Sequence, residues 1–288
     1  MAGVKRLACA AVALALVLSC PRAEAQEPIE PDRPDVTNGT HIVEIGLLQV
    51  ELGGLYTHAG TAQHAFGSPF TARVGLTDWL EARAGTDGLL TQTDGVTRAT
   101  GIGNVQLGAK LRLWADPGGV PVLSILPTVN LPAASEEKGL GSGSADYTVA
   151  LLTGTDIGRH GHVDVNYGIG GIGSGGGQPH FVQHLVSVSA SAAVTDNWNP
   201  YVEAFWFSRQ DEGGRQVTSM DAGAIYQLGA RYALDGGVQF GVSANAPRLA
   251  AFGGVSVIVG DVLGSHGAEA RARQTQRRAA PARSSTSK

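Results

Sequence analysis

The residues able to do chemistry are sparse in this chain. Eight histidines occur, at positions 41, 58, 64, 160, 162, 180, 184 and 266. His160 and His162 stand two apart at a turn, which on a strand would put both imidazoles on one face, where they could share a metal ion. No Cys or carboxylate completes a recognisable ligand set, so they read as polar surface and no metal site is expected. Ser187, Ser189 and Ser191 with His184 imitate the serine–histidine pairing of acyl-transfer enzymes, but nothing fixes their geometry. Gly171 to Gly177 is glycine-rich, yet no helix follows to form a phosphate site, and it reads as a mobile outer loop. No catalytic residue and no cofactor is expected.

A binding chemistry is better supported than a covalent one. Tyr201, Glu203, Phe205 and Phe207 share one face of a strand, and Val202, Ala204 and Trp206 the other. Aromatic rings beside one carboxylate suit a phenol-like or flat apolar ligand. Packing of the same rings against a plug is the other reading. Charged residues also recur at alternate positions: Glu51 beside Gln49, then Arg73, Glu81 and Arg83, and Lys110 and Arg112 beside Gln106. Neighbouring strands would set opposite charges side by side, either as a ladder that rigidifies a wall or as an ion-lined constriction. We favour the ladder for most of them. Asp32, Arg33 and Asp35 lie just before the first strand, and either fold back as a plug or remain a short linker.

The elements that must position these residues are strands. The chain has 288 residues, 43% hydrophobic but only 16% charged and 6% aromatic, with 41 Gly. Glycine at this density disfavours helices, at about 1 kcal/mol per position relative to Ala. Residues 186–194 alternate Val, Val, Ala, Ala, Val against Ser, Ser, Ser, Ala, and 105–113, 162–169 and 238–243 alternate likewise. Twelve strands are expected, at 42–57, 69–77, 79–87, 102–114, 119–131, 146–156, 162–170, 181–194, 199–208, 219–230, 236–243 and 251–262. Short turns near Asp78, 116–119, 156–161, 195–198 and 231–236 alternate with longer polar segments at 58–68, 87–101, 132–145, 171–180, 209–219 and 244–250.

A soluble antiparallel barrel or sandwich would show this alternation too. The small polar residues of one face, the asymmetry of the connections, the even strand count and Trp79 and Trp198 beside short turns favour a transmembrane one. The fold class expected is therefore all-β: an antiparallel up-and-down barrel of about twelve strands, with short periplasmic turns and longer outer loops. Residues 1–25 read as an export signal, with Lys5 and Arg6, an apolar run and Ala23-Glu24-Ala25 before the cleavage point. A lipoprotein box ending in Cys20 is the rival reading. Residues 26–40 would be a periplasmic segment or plug, 41–263 the barrel, and 264–288 a disordered basic tail. Between the two ends, residues 26–264 hold 12 Lys and Arg against 23 Asp and Glu, a net charge of −11 that disfavours nucleic acid.

Several motifs, in order, resemble the outer-membrane family known for the MetA pathway of phenol degradation, a transporter-like group. They are Glu30-Pro31-Asp32-Arg33-Pro34-Asp35-Val36-Thr37; the strand from Gly46 to Tyr56 with Gln49-Val50-Glu51; the hairpin from Arg73 to Glu81 through Thr77-Asp78; and Gly101 to Lys110, with Asn104 where Asp is usual. Ser124 to Pro132, the Thr195-Asp196-Asn197-Trp198 hairpin and Asp221 to Leu228 also fit. The likeness spans about residues 30–262. It implies an outer-membrane channel admitting apolar or aromatic small molecules, with outer-membrane lipid, the barrel-assembly machinery and small apolar solutes as partners. One departure is that the last strand, Gly253 to Val259, runs into the basic tail, where such barrels usually end on an aromatic that the assembly machinery recognises. The expected function is passive uptake without covalent catalysis. A structural or adhesive barrel with a blocked lumen is the alternative, and a lipid-modifying outer-membrane enzyme a more distant one.

Overall fold

The computed structural model describes residues 28–265, apart from 35, 61 and 116–120. The expected export signal, with Cys9 and Cys20, and the basic tail from residue 266 lie outside the described residues, as do Asp35 and the turn at 116–119. Fifteen strands follow in chain order: β1 (Leu47–His58), β2 (His64–Gly67), β3 (Phe70–Gly75), β4 (Leu80–Thr86), β5 (Leu89–Thr93), β6 (Arg98–Ile102), β7 (Val105–Trp114), β8 (Val122–Leu131), β9 (Asp146–Ile157), β10 (Gly161–Ile172), β11 (Phe181–Ala192), β12 (Trp198–Phe207), β13 (Val217–Gly229), β14 (Tyr232–Gly241) and β15 (Leu249–Asp261).

Twelve of these close an antiparallel barrel. The order around the wall is β1, β3, β4, β7, then β8 to β15 in sequence, and β15 returns to pair with β1 from Leu47↔Asp261 to His58↔Leu249. The remaining three differ from the sequence expectation, which made 58–68 and 87–101 loops. β2 pairs with the far end of β1, β5 with β2, and β6 with β5, so one side of the wall rises above the rest. Gly88, at φ 68°, makes the step from β4 to β5, and its carbonyl accepts from Gly103 N–H at 2.7 Å. These pieces are four or five residues long, too short for a period of two to register. Residues 231–235, expected within a turn, mostly belong to β14.

The distribution of polarity is inside-out. Arg73, Glu81, Lys110, Ser124, Ser187 and Ser219 point inward and are 0% exposed, whereas outward Leu107, Leu151 and Val202 are 48%, 42% and 57% exposed. A wall with its apolar face outward is stable only against acyl chains, and strands of about ten residues, tilted by ~40°, span the ~25 Å apolar band. Trp79, Trp198 and Tyr226 mark the edge at the short-turn end, with Trp198 and Tyr226 rings 5.8 Å apart. Tyr56, Tyr147 and Tyr167 mark the opposite edge. Where the chain enters the barrel, Ile29, Val43, Leu47, Ala233 and Ile258 form a small apolar core.

Candidate functional site: a strap across the lumen

Residues 28–46 form a strap. It enters at the short-turn end, where Ile29 N–H donates to the Ala230 carbonyl at 3.0 Å, crosses the lumen, and returns to β1. Its polar groups are matched to the wall because every second residue of each strand faces in. Glu51 on β1, Arg73 on β3, Glu81 on β4 and Lys110 on β7 are all buried and inward. Arg73 binds Glu51 at 2.8 Å and Glu81 at 2.8 and 3.0 Å, a ladder across three strands. Asp32 of the strap completes it: its carboxylate accepts from Lys110 Nζ at 2.8 and 3.0 Å and from Arg83 Nη1 at 2.6 Å, with Arg73 3.5 Å away. Burial alone would raise the Asp32 pKa, but Arg73, Lys110 and Arg83 hold it well below the usual carboxylate value. His41, also on the strap, is lowered first by burial and then by Arg73, so it is neutral when docked.

The other side of the strap meets the opposite wall. Glu203 on β12 accepts from Val36 N–H at 3.0 Å and from both the N–H and the hydroxyl of Thr37. Arg33 reaches Asp235 on β14 at 3.3 Å and the Gly253 carbonyl at 3.4 Å. Its guanidinium lies over facing Gly53 and Gly254, where a Cβ would meet it. Val43 N–H donates to Glu81, and the Thr40 carbonyl accepts from Ser124 at 3.1 Å. Seven charged side chains of the wall, Glu51 included through the Asp32 and Arg33 N–H groups, thus grip one segment of chain.

The residues singled out from sequence are distributed as follows. Glu51, Arg73, Glu81, Arg83, Lys110 and Asp32 meet in one cluster. Arg112 stays below it, its Nη1 3.4 Å from the Asp78 carbonyl near the short-turn rim. Tyr201, Glu203, Phe205 and Phe207 share the inner face of β12. Both oxygens of Glu203 serve the strap rather than standing free for a ligand. Phe205 and Phe207 pack edge to face with centroids 6.0 Å apart. His184 faces outward and bonds Tyr167, so it is on the opposite face from Ser187. His162 faces in, held by Asp156 at 2.7 Å and Asp164 at 3.3 Å. Sequence reasoning missed Val36 and Thr37 as the partners of Glu203, because two of the three bonds come from backbone N–H groups that leave no side-chain signal. It also missed Asp235 and Ser124, which register alone turns inward.

The strap divides the lumen. On the long-loop side lies a cavity of about 320 Å³, bordered by Leu126, Leu185, Ile172 and Phe207, with Arg83, Gln106 and Asn130. On the short-turn side lies a polar cavity of about 530 Å³, bordered by the strap, His162, Asp164 and Tyr201. Beside the first cavity the ladder is weakened. β7 and β8 keep one register from Val105↔Leu131 to Leu111↔Ile125, but the two positions between Gly108↔Thr128 and Leu111↔Ile125 are unpaired, and Pro127 there has no N–H to donate.

The family model described as "Putative MetA-pathway of phenol degradation" matches residues 31–258. Among solved structures, the barrel is similar to an outer membrane channel from Pseudomonas putida F1, with a TM-score of 0.60 and 13% identity, covering 80% of this chain and 99% of that one. It is also similar to the NanC porin, with a TM-score of 0.52 and 11% identity, covering 73% and 98% respectively. No curated protein matches the chain in sequence.

Proposed function

This chain belongs to that phenol-degradation family of outer-membrane, porin-like barrels, and from that premise we propose that it is a passive channel for small apolar or aromatic molecules. The observation that carries the reading is the cavity of about 320 Å³ above the strap. Leu126, Leu185, Ile172 and Phe207 give it an apolar part to its lining inside a barrel whose inner face is largely polar. Arg83, Gln106, Asn130, Asp146 and Gln183 are among the polar groups beside it that would orient a hydroxyl. A solute captured there meets two exits. The axial one is closed by the strap and its ionic bonds, which an apolar molecule gains nothing by crossing. The other is sideways, by parting the weakened β7–β8 seam at Pro127 into the membrane, where an apolar molecule is at home.

Proteoliposome uptake tests the reading. The channel should pass phenol-sized aromatic solutes faster than sugars of similar size, and Leu126→Asp should reduce aromatic flux about tenfold, the effect of ~1.4 kcal/mol. Equal flux for both solute classes would overturn it. The blocked-lumen alternative is favoured by one observation, the strap itself. Planar-bilayer records that stay flat, together with no aromatic uptake by folded protein, would support that alternative.

A further inference from the structure

We propose that His58, His64 and Tyr56 form a binding site for a divalent transition-metal ion of the Cu(II) class, on the outer flank of the raised wall. The three residues come together through hairpin register. His58 on β1 stands opposite His64 on β2, and Tyr56 lies two residues below on the same outward face. The two Nδ1 atoms are 3.2 Å apart, and Tyr56 Oη is 2.7 Å from Nδ1 of His64.

One hydrogen on Nδ1 of His64, shared between Tyr56 Oη and Nδ1 of His58, links the three heteroatoms. A cation in place of that shared hydrogen would bond all three. The spacing fits such an ion: at a metal–nitrogen bond of ~2.0–2.1 Å, nitrogens this far apart subtend about 100°, between square-planar and tetrahedral. The rings are stacked, with centroids 4.8 Å apart and planes at 28°, so rotation about χ2 is needed to aim both lone pairs at one point. Two imidazoles and a phenol oxygen select borderline cations, with Cu(II) preferred in the Irving–Williams order. The groups are accessible: Tyr56 is 46% exposed and both histidines are half-buried. Leu52, Tyr56 and Phe66 are exposed on the same face, and the histidines lie beyond them toward the tip of the β1–β2 hairpin. A bound ion would staple β1 to β2, and His64 also borders a cavity facing Gln92, Thr93 and Lys138. The site is independent of the channel reading.

Untagged full-length protein in detergent, titrated with Cu(II) and followed by electron paramagnetic resonance, tests this. One ion per chain should bind with coupling to two nitrogens. His58→Asn and His64→Asn should each weaken binding at least tenfold, with heat-modifiable gel mobility showing that each barrel is folded. His184→Asn, which alters the single-histidine Tyr167 pair, should leave affinity unchanged. On addition of Zn(II), hydrogen exchange in β2 should slow. Copper affinity unaffected by the His58 and His64 substitutions overturns the proposal, as does a two-nitrogen signal that is lost with His160→Asn or His162→Asn instead.

Discussion

Asp32 shows how one side chain organises the interior. Its carboxylate touches Lys110 and Arg83 directly and faces Arg73, three cations delivered by three different strands. Removing one partner of a buried ion pair typically costs ~3–5 kcal/mol, because the remaining charges stay buried. Asp32→Asn should therefore undock the strap, seen as faster hydrogen exchange across residues 28–46, while the barrel keeps its heat-modifiable mobility. Glu203→Gln should act in the same direction by a smaller amount, about 1.5–3 kcal/mol, since it weakens hydrogen bonds to a charged acceptor. Acid should have a graded effect. Docked His41 has a pKa below 6.5, so an undocked strap takes up a proton as pH falls through 6.5 and a docked one does not. Docking should weaken by at most tenfold per pH unit below that point, and again below pH 3.8, where undocked Asp32 protonates and docked Asp32 resists. His41→Asn should flatten exchange rates between pH 7 and 5, and an unchanged profile would show that another group titrates. Every acidic and basic wall member of the cluster is visible in the sequence as a charge at an alternating position. What was not visible was that the strap supplies the central carboxylate, because the pairing spans 78 residues.

At the level of elements, β8 sets itself apart. Proline in a central strand removes a ladder bond, and here the loss coincides with the unpaired stretch between Gly108 and Leu111. Pro127→Ala would restore a donor. If the sideways exit is used, aromatic uptake should fall several-fold while sugar flux and barrel mobility stay unchanged, and equal uptake by both proteins would place the exit elsewhere. The strands of the wall were legible because lipid outside and polar groups inside enforce a strict period of two. The raised pieces β2, β5 and β6 were not. They are too short to display a period, and Gly60, Gly88 and Gly95 beside them read as loop. Tyr201, Glu203, Phe205 and Phe207 of β12 share one face, as the alternation of the strand expects, but the partner of Glu203 is mostly backbone, which sequence does not mark.

For the whole molecule, the strap is the only continuous obstruction that crosses the lumen among the described residues, and both walls hold it. Deleting residues 28–40 should therefore convert a barrel of low conductance into one that passes current in planar bilayers. Should that variant fail to assemble, Asp32→Asn combined with Glu203→Gln should raise conductance in the same direction, and no change in either would mean the strap does not limit passage. The two walls also differ in net sign. On one, Arg73, Arg83 and Lys110 of β3, β4 and β7 outnumber Glu51 and Glu81 of β1 and β4; on the other stand Glu203, Asp221 and Asp235 of β12, β13 and β14. Docked, the strap answers each with its opposite, Asp32 toward one and Arg33 with the Val36 and Thr37 amides toward the other. Withdraw it, and the bore becomes a gap between unlike plates, with field lines running across the direction of travel. A zwitterion entering such a gap would be turned side-on and held in register, so the opened state would sort molecules by dipole as well as by girth.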